Sequence, residues 1–419
     1  MSGRIFIFLF IVLIIDFYVF QAIKLVTRNL SDTQSRIVHI AYWSLTVFTY
    51  IVLIGGIVVD WHTWPKWLRS YAFASVMVIF ISKLFVVVFL LVDDIIRFFR
   101  WGFANIYERI YDKPIGTPDA VVKISRSDFL VKLGLVVAAV PFVSLIYGMI
   151  RGAYNYQVKN VNLKLKNLPE AFNGFRLVQI SDIHSGSFMS TQPLETAVGI
   201  INDLKPDVIF FTGDLVNDRH EEVLPHTKAL SKLSAKHGVF STLGNHDYGD
   251  YIQWSSREEK VNNFNRLKEI HGEMGWKLMM DEHAFIEKGN DKIGLVGIQN
   301  WSSHLRFPKY GNMQKATSNM PYAPVNILLS HDPSHWHAEV LEKYPQIDLM
   351  LAGHTHGFQF GIEIPGFKWS PVQYVYKEWS DLYSVNEKHL YVNRGLGFLG
   401  YPGRVGILPE ITVIELQKA

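Results

Sequence analysis

The chain contains no cysteine in 419 residues. That excludes disulfide frameworks, thiolate metal sites and cysteine nucleophiles. Charge is also scarce. Asp, Glu, Lys and Arg make up 19% of the residues, where a soluble domain carries about a quarter, while 49% are hydrophobic. This excludes a disordered chain and argues against a wholly soluble one. The net charge of +3 is too small to imply a nucleic-acid partner, and none is expected. It is also unevenly placed: residues 1–150 hold 14 Lys and Arg against 9 Asp and Glu, and residues 151–419 hold 27 against 29. The length allows two or three domains.

What is present in the first 150 residues is apolar sequence. Four runs, about 5–26, 37–59, 68–92 and 129–150, have the roughly 20-residue length of a bilayer-spanning helix,. They are apolar on every face, unlike core helices with a polar stripe. The first is too long for a signal-peptide core, and no small-residue cleavage site follows it. The reading is an all-α, multi-pass membrane anchor with the lipid bilayer as its partner. Arg28, Arg36, Arg97, Arg100, Arg109, Lys113, Lys123 and Arg126 fall in loops on one side; Arg4, Lys66 and Arg69 fall on the other. Positive charge accumulates on the cytoplasmic side, so everything after Arg151 is expected on the outer side.

Residues 93–128 form the long cytoplasmic loop. Asp94 to Tyr111 mixes aromatic and basic residues, as either an interfacial amphipathic helix or an extension of the third span would,. Asp16 and Lys83 lie near mid-span, where charges are usually paired; a contact between spans one and three and snorkelling are both open. Ser125-Arg126-Ser127-Asp128-Phe129-Leu130 resembles a twin-arginine export signal whose second arginine is Ser127.

From residue 151 to 419 the pattern changes. Short runs rich in Val, Ile and Phe alternate with polar helical stretches. Strands are expected at 176–183, 207–213, 238–244, 293–299, 326–330, 348–352 and 411–416, and helices at 194–204 and 257–274,. Gly289-Asn290-Asp291 reads as a turn between two strands. Such alternation indicates a layered α/β domain.

A polar cluster follows each of five strands: Asp182-Ile183-His184, Gly213-Asp214, Gly244-Asn245-His246-Asp247, Ser330-His331-Asp332 and Gly353-His354-Thr355-His356. Active sites of α/β domains form at such strand ends. In extended chain, residues i and i+2 face one way, so Asp182 and His184 can grip one ion. His354 and His356 can do the same, or loop curvature can send them to two adjacent ions. Carboxylate, imidazole and amide donors without thiolate suit Mn, Fe, Zn or Mg. Any one cluster arises by chance in many chains, and His335 and His337 are expected to be surface residues of that kind. The ordered set of five is another matter.

That series resembles the calcineurin-like metallophosphoesterase superfamily, over roughly residues 170–419. Tyr391-Val392-Asn393-Arg394-Gly395-Leu396-Gly397, Pro402-Gly403-Arg404 and Pro409-Glu410-Ile411 are similar to its YkuE-like, often membrane-anchored subgroup. The resemblance implies a four-layer α/β-β/α sandwich with two divalent metal ions. It implies that Asp182, His184, Asp214 and His356 bind the first ion, and Asp214, Asn245, His331 and His354 the second. His246 would act on the phosphate, and Asp247 would orient it through the other ring nitrogen. The implied activity is hydrolysis of a phosphate mono- or diester by direct attack of a metal-bound hydroxide.

For substrate contacts the expectation is Asn393, Arg394 and Arg404, with bidentate arginine contacts to an anionic leaving group or a surface salt bridge as the two readings. The aromatic stretch Phe358–Tyr383 reads as a lid, as a shelf dipping toward the membrane for a lipid-linked substrate, or, favoured by base rates, as an edge hairpin packed on the core. Besides the phosphoesterase, two other function classes stand. One is a pyrophosphatase of a nucleotide-linked lipid of the UDP-2,3-diacylglucosamine type. The other is a non-catalytic interaction module, against which the complete ligand set argues.

Overall fold

The computed structural model describes residues 2–59, 61–111 and 126–419. The chain forms two compact units, Met1–Tyr147 and Gly148–Ala419.

The first unit is helical. Its helices are α1 (Ser2–Thr27), α2 (Asp32–Val58), α3 (Lys66–Tyr111) and α4 (Arg126–Ile150). Ser31 caps α2, its hydroxyl accepting from the Gln34 backbone N–H, with the Gln34 side chain reaching back to the Ser31 N–H. This reciprocal pair fixes where the helix starts. All four helices contain a segment long and apolar enough to cross a membrane. Ile37, Ile51, Ile57, Val88 and Val136 point outward and exposed, as lipid-facing side chains do. α3 continues without a break to Tyr111. At 1.5 Å per residue it is about 70 Å long, roughly twice the hydrocarbon thickness. The stretch Asp94–Tyr111 is therefore an extension of the third span. Residues 112–125, with the rest of the expected loop and Ser125 of the export-like motif, lie outside the described residues. Lys83 pairs with Asp16 inside the bundle and lies 3.2 Å from Thr46 Oγ1, and Tyr42 donates to the Asp16 backbone carbonyl at 2.7 Å. The intramembrane charges are thus paired with each other,.

The second unit holds two six-stranded mixed sheets. The first runs β1 (Gln157–Leu165), β14 (Glu410–Lys418), β2 (Phe175–Ile180), β3 (Val208–Phe211), β4 (Val239–Ser241), β5 (Trp276–Leu278). The second runs β12 (Asp381–Val385), β13 (Lys388–Val392), β9 (Leu349–Ala352), β8 (Asn326–Leu329), β7 (Asp291–Gly297), β6 (Glu282–Lys288). A separate antiparallel hairpin joins β10 (Ile362–Ile364) to β11 (Phe367–Trp369). Leu163, Leu177, Phe210, Leu295, Ile327 and Leu349 from both sheets share one apolar cluster, so the sheets pack face to face. On the outer face of the first sheet lie α5 (Gln192–Asp203), α6 (Thr227–Leu230) and α7 (Arg257–Glu273), and on that of the second α8 (Met313–Thr317) and α9 (Leu341–Lys343). This is the expected α/β-β/α layering.

The strands β2, β3 and β4 are parallel neighbours, as are β7, β8 and β9. Parallel strands buried on both faces are apolar throughout, and Val208-Ile209-Phe210-Phe211 is fully buried. Parallel neighbours end at the same edge, so the loops after β2, β3, β4, β8 and β9 converge.

Candidate metal centre and its surroundings

At that edge the five clusters meet. Asp182, His184 and His356 bring one potential ligand atom each within 4.8 Å of one another, and so do Asp214, His331 and His354. Each group is tight. His184 Nε2 lies 3.0 Å from His356 Nε2, and His331 Nε2 lies 3.3 Å from His354 Nδ1. Asp214 Oδ2 stands between them, 3.5 Å from His184 Nε2 and 3.1 Å from His331 Nε2. His354 and His356 therefore diverge to separate groups, the second of the two readings of their spacing.

The backbone achieves this through left-handed turns, not extended chain. Asp182, His184, Asp214, His354 and His356 all have positive φ, between 47° and 72°. This region is uncommon for non-glycine residues, and each costs on the order of 1–3 kcal/mol. Five strained residues at one edge are held by the surrounding fold. Two glycines make room. A side chain at Gly244 would collide with the Asp214 carboxylate, and one at Gly353 with Ser181 and Asp182.

Electrostatics show what the centre lacks in protein groups alone. Burial pushes the Asp182 carboxyl up to about 6, and lowers His184 to about 3 and His354 to about 4. At His331 burial opposes the charge, but Asp214 and Asp182 outweigh it and hold the imidazole up at about 10. Burial likewise opposes ionisation of Asp214, yet His331 and His246 keep its carboxyl well below the ordinary range. Asn245 donates from Nδ2 to Tyr251 Oη at 2.8 Å, while its Oδ1 is buried with no hydrogen-bond partner. An orphaned amide oxygen beside buried carboxylates and imidazoles is the donor set of a hard or borderline divalent cation. The residues fit such ions.

His246 has a defined orientation. Its Nδ1 lies 2.7 Å from the Asn217 carbonyl and its backbone N–H donates to Asp214 Oδ1 at 2.8 Å. This corrects the expectation for Asp247. The Asp247 carboxylate accepts from the backbone N–H groups of Asp214, Leu215, Val216 and Gly244 at 2.8–3.3 Å. It ties the β3 and β4 loops together and leaves the imidazole to Asn217.

The expected substrate contacts are also corrected. Asn393, Arg394 and Arg404 are buried, at 0–1% exposure. Arg394 pairs with Glu363, Asp381 and Glu410. Arg404 holds the carbonyls of Arg394, Gly395 and Gly397 and reaches His356 Nδ1 at 3.2 Å. Asn393 Nδ2 donates to Thr412 Oγ1 at 2.8 Å. All three are buried and brace the loops. His335 is not on the surface either. It is fully buried between Ser330 Oγ at 2.9 Å and Glu339 at 3.1 Å; His337 is half-exposed and pairs with Glu378.

The loop between β7 and α8 supplies neighbours the sequence reading missed. Phe307 meets the His354 ring edge-on, with centroids 4.6 Å apart. Arg306, exposed over Phe307, has no ion-pair partner among the described residues and acts electrostatically on both Tyr251 and Tyr376. Tyr376 Oη lies 2.9 Å from His354 Nε2 and donates to Asp332 Oδ2 at 3.2 Å. No spacing rule links these positions to the metal clusters.

Comparison with known proteins accords with this geometry. Residues 3–153 match the family described as "Probable Calcineurin-like phosphoesterase, transmembrane domain", and residues 175–358 match "Calcineurin-like phosphoesterase". A transmembrane protein with metallophosphoesterase domain from Danio rerio is 30% identical over 392 residues, covering 90% of this chain and 81% of the relative. The chain belongs to the calcineurin-like phosphoesterase family. The metallophosphoesterase YkuE of Bacillus subtilis is 30% identical over 316 residues, covering 71% of this chain and 99% of that one. LpxG of Chlamydia trachomatis, a UDP-2,3-diacylglucosamine pyrophosphatase, is 30% identical over 279 residues, covering 55% and 81%. The four apolar helices and the transmembrane relatives make this phosphoesterase family member a membrane protein.

Proposed function

We propose that the chain is a membrane-anchored, dinuclear-metal phosphoesterase that hydrolyses a phosphate mono- or diester on the outer side of the membrane. The observation that carries the reading is Asp214 Oδ2 standing between two His/Asp groups, within 3.5 Å of each. In this reading residues 1–150 are the anchor and residues 151–419 the phosphoesterase domain. Asp182, His184, Asp214 and His356 hold one ion, and Asp214, Asn245, His331 and His354 the other. Two such ions supply Lewis acidity toward the phosphoryl oxygens and a nucleophile from water at neutral pH.

The protein groups do the rest. The Asn217 carbonyl accepts a hydrogen bond from His246 Nδ1–H, which leaves Nε2 directed away from that contact. Hydrolysis forms a bond from water oxygen to phosphorus and breaks the bond to the leaving oxygen. Protonated His246 stabilises the phosphoryl oxygens or gives its Nε2 proton to the leaving group. Arg306 meets substrate negative charge at the rim. The outer-side placement rests on the distribution of Lys and Arg between the loops.

The test uses the purified full chain loaded with Mn, with metal content and hydrolysis of aryl phosphate mono- and diesters as readouts. Two ions per chain are expected in wild type and in His246→Ala. The variant should lose about 10²–10⁴-fold in turnover. An active His246→Ala enzyme would remove that residue's role, and a metal-loaded but inert wild type would remove the activity. The LpxG relative favours a second reading, a pyrophosphatase of a nucleotide-linked lipid. Turnover of UDP-2,3-diacylglucosamine above that of every aryl ester would select it.

A further inference from the structure

The β10–β11 hairpin is amphipathic in the wrong sense for a soluble domain. On one face Glu363 pairs with Lys159 and Arg394, and Lys368 reaches Asp381 and Ser380. Its charges are turned inward. On the other face Ile362, Ile364 and Phe367 are 49–58% exposed. The neighbouring Phe358, Tyr374 and Val375 add 53–77% exposed side chains to the same stretch. The favoured expectation for this aromatic segment, packing on the core, holds for Tyr376 and Trp379, which are buried with Val372 and Ile407. It fails for the hairpin. Scattered exposed apolar residues need no explanation, but a contiguous patch marks an interaction surface.

The patch is tied to the start of its own unit. Gly361 N–H donates to the Val405 carbonyl at 2.9 Å, and Val405 N–H to the Gln359 carbonyl at 2.8 Å. The next residue back, Arg404, donates from its backbone to the carbonyl of Gly148 at 3.2 Å. Gly148 lies in the last turn of α4, whose Asp128–Ile150 segment is a candidate membrane span. Within the second unit, the base of the hairpin is thus two hydrogen-bonded steps from the C-terminal end of that candidate span. We infer that the apolar face of the β10–β11 hairpin lies in the interfacial region of the same bilayer, as a second, monotopic contact. Burying Ile and Phe there is favourable, and an aromatic such as Tyr374 suits the headgroup level.

The inference has a consequence for substrate that rests on the phosphoesterase reading. Only Gly357 separates His356 of the metal centre from Phe358 of the patch. A centre held this way faces phosphate esters carried by lipids.

Because the chain has no cysteine, Phe367→Cys gives a unique attachment point for an environment-sensitive fluorophore. The full chain is reconstituted in phosphatidylcholine–phosphatidylglycerol vesicles containing doxyl-labelled lipid. Asn290→Cys, in the β6–β7 turn at the opposite ends of the strands from the metal centre, is the control. Quenching at 367 at least twofold above that at 290 is expected; equal quenching overturns the membrane contact. A second arm compares turnover of vesicle-borne phosphatidic acid and phosphatidylglycerol with that of soluble bis(4-nitrophenyl) phosphate. The lipid-to-soluble ratio should fall at least fivefold in Ile364→Asp/Phe367→Asp. An unchanged ratio, or a wild type that cleaves the soluble ester and neither lipid, overturns the substrate consequence alone. A wild type inert on every ester strikes the phosphoesterase reading and leaves the quenching result standing.

Discussion

The Asp247 carboxylate accepts the backbone N–H of Asp214 at 2.9 Å, while the imidazole of its own neighbour, His246, turns to Asn217. Asp247 is therefore the clasp between two metal-centre loops. Asp247→Ala leaves four buried N–H groups without their acceptor, at roughly 1–3 kcal/mol each. The expected outcome is a strongly lowered melting temperature together with reduced metal content. A variant with wild-type melting and metal content but altered pH dependence of turnover would return Asp247 to an orienting role.

Asp214 groups with His331 and His354 and also approaches His184 of the other group at 3.5 Å. Asp214→Ala should lose both ions, whereas Asn245→Ala should lose chiefly the one nearer His331 and His354. Elemental analysis after gel filtration reads this directly. Two ions per chain retained in Asp214→Ala would contradict the shared position.

The two arginine classes should separate. Arg394 is 1% exposed and neutralises Glu410, itself fully buried. Arg394→Ala leaves that charge uncompensated, at about 3–5 kcal/mol of stability, with KM unchanged in the protein that folds. Arg306→Ala should instead raise KM about tenfold, the scale of one charge-assisted hydrogen bond, with melting unchanged. Denaturation and steady-state kinetics on both variants check the pair, and the reverse pattern would reinstate Arg394 as a substrate contact.

His271 on α7 provides a pH signature away from the metal centre. It is fully buried with Nδ1 2.9 Å from Ser241 Oγ, and burial lowers its pKa to about 3. In the unfolded chain a histidine titrates near 6.5. Between those values the unfolded chain binds a proton that the folded chain does not. Its contribution to stability is therefore intact above about pH 7 and declines as pH falls, by up to about 1.4 kcal/mol per pH unit. His271→Gln should flatten the acid limb of melting temperature against pH relative to wild type. Parallel curves would show that His271 ionises in the folded state.

The sequence alone determined the division between four apolar runs and a strand-rich α/β region, because hydrophobic length and strand periodicity are local properties. It also determined the positions of the Asp and His clusters, since parallel strands carry their chemistry at their C-terminal ends and each of these five ends is followed by Asp or His within a few residues. Tertiary structure decided what those clusters do. Asp182 and His184 share a group through two left-handed residues, where their spacing alone suggested extended chain. His354 and His356 part company for the same reason. Arg394 and Arg404 looked like anion contacts by type and became bracing groups, because burial is set by neighbours such as Glu410 and Gly397, remote in sequence from the metal-centre motifs. Arg306, Phe307 and Tyr376 reach the centre only through the packing of one loop and one edge segment. The exposed face of the β10–β11 hairpin could not be read either, since alternation says which residues share a face and only the fold says which way that face points.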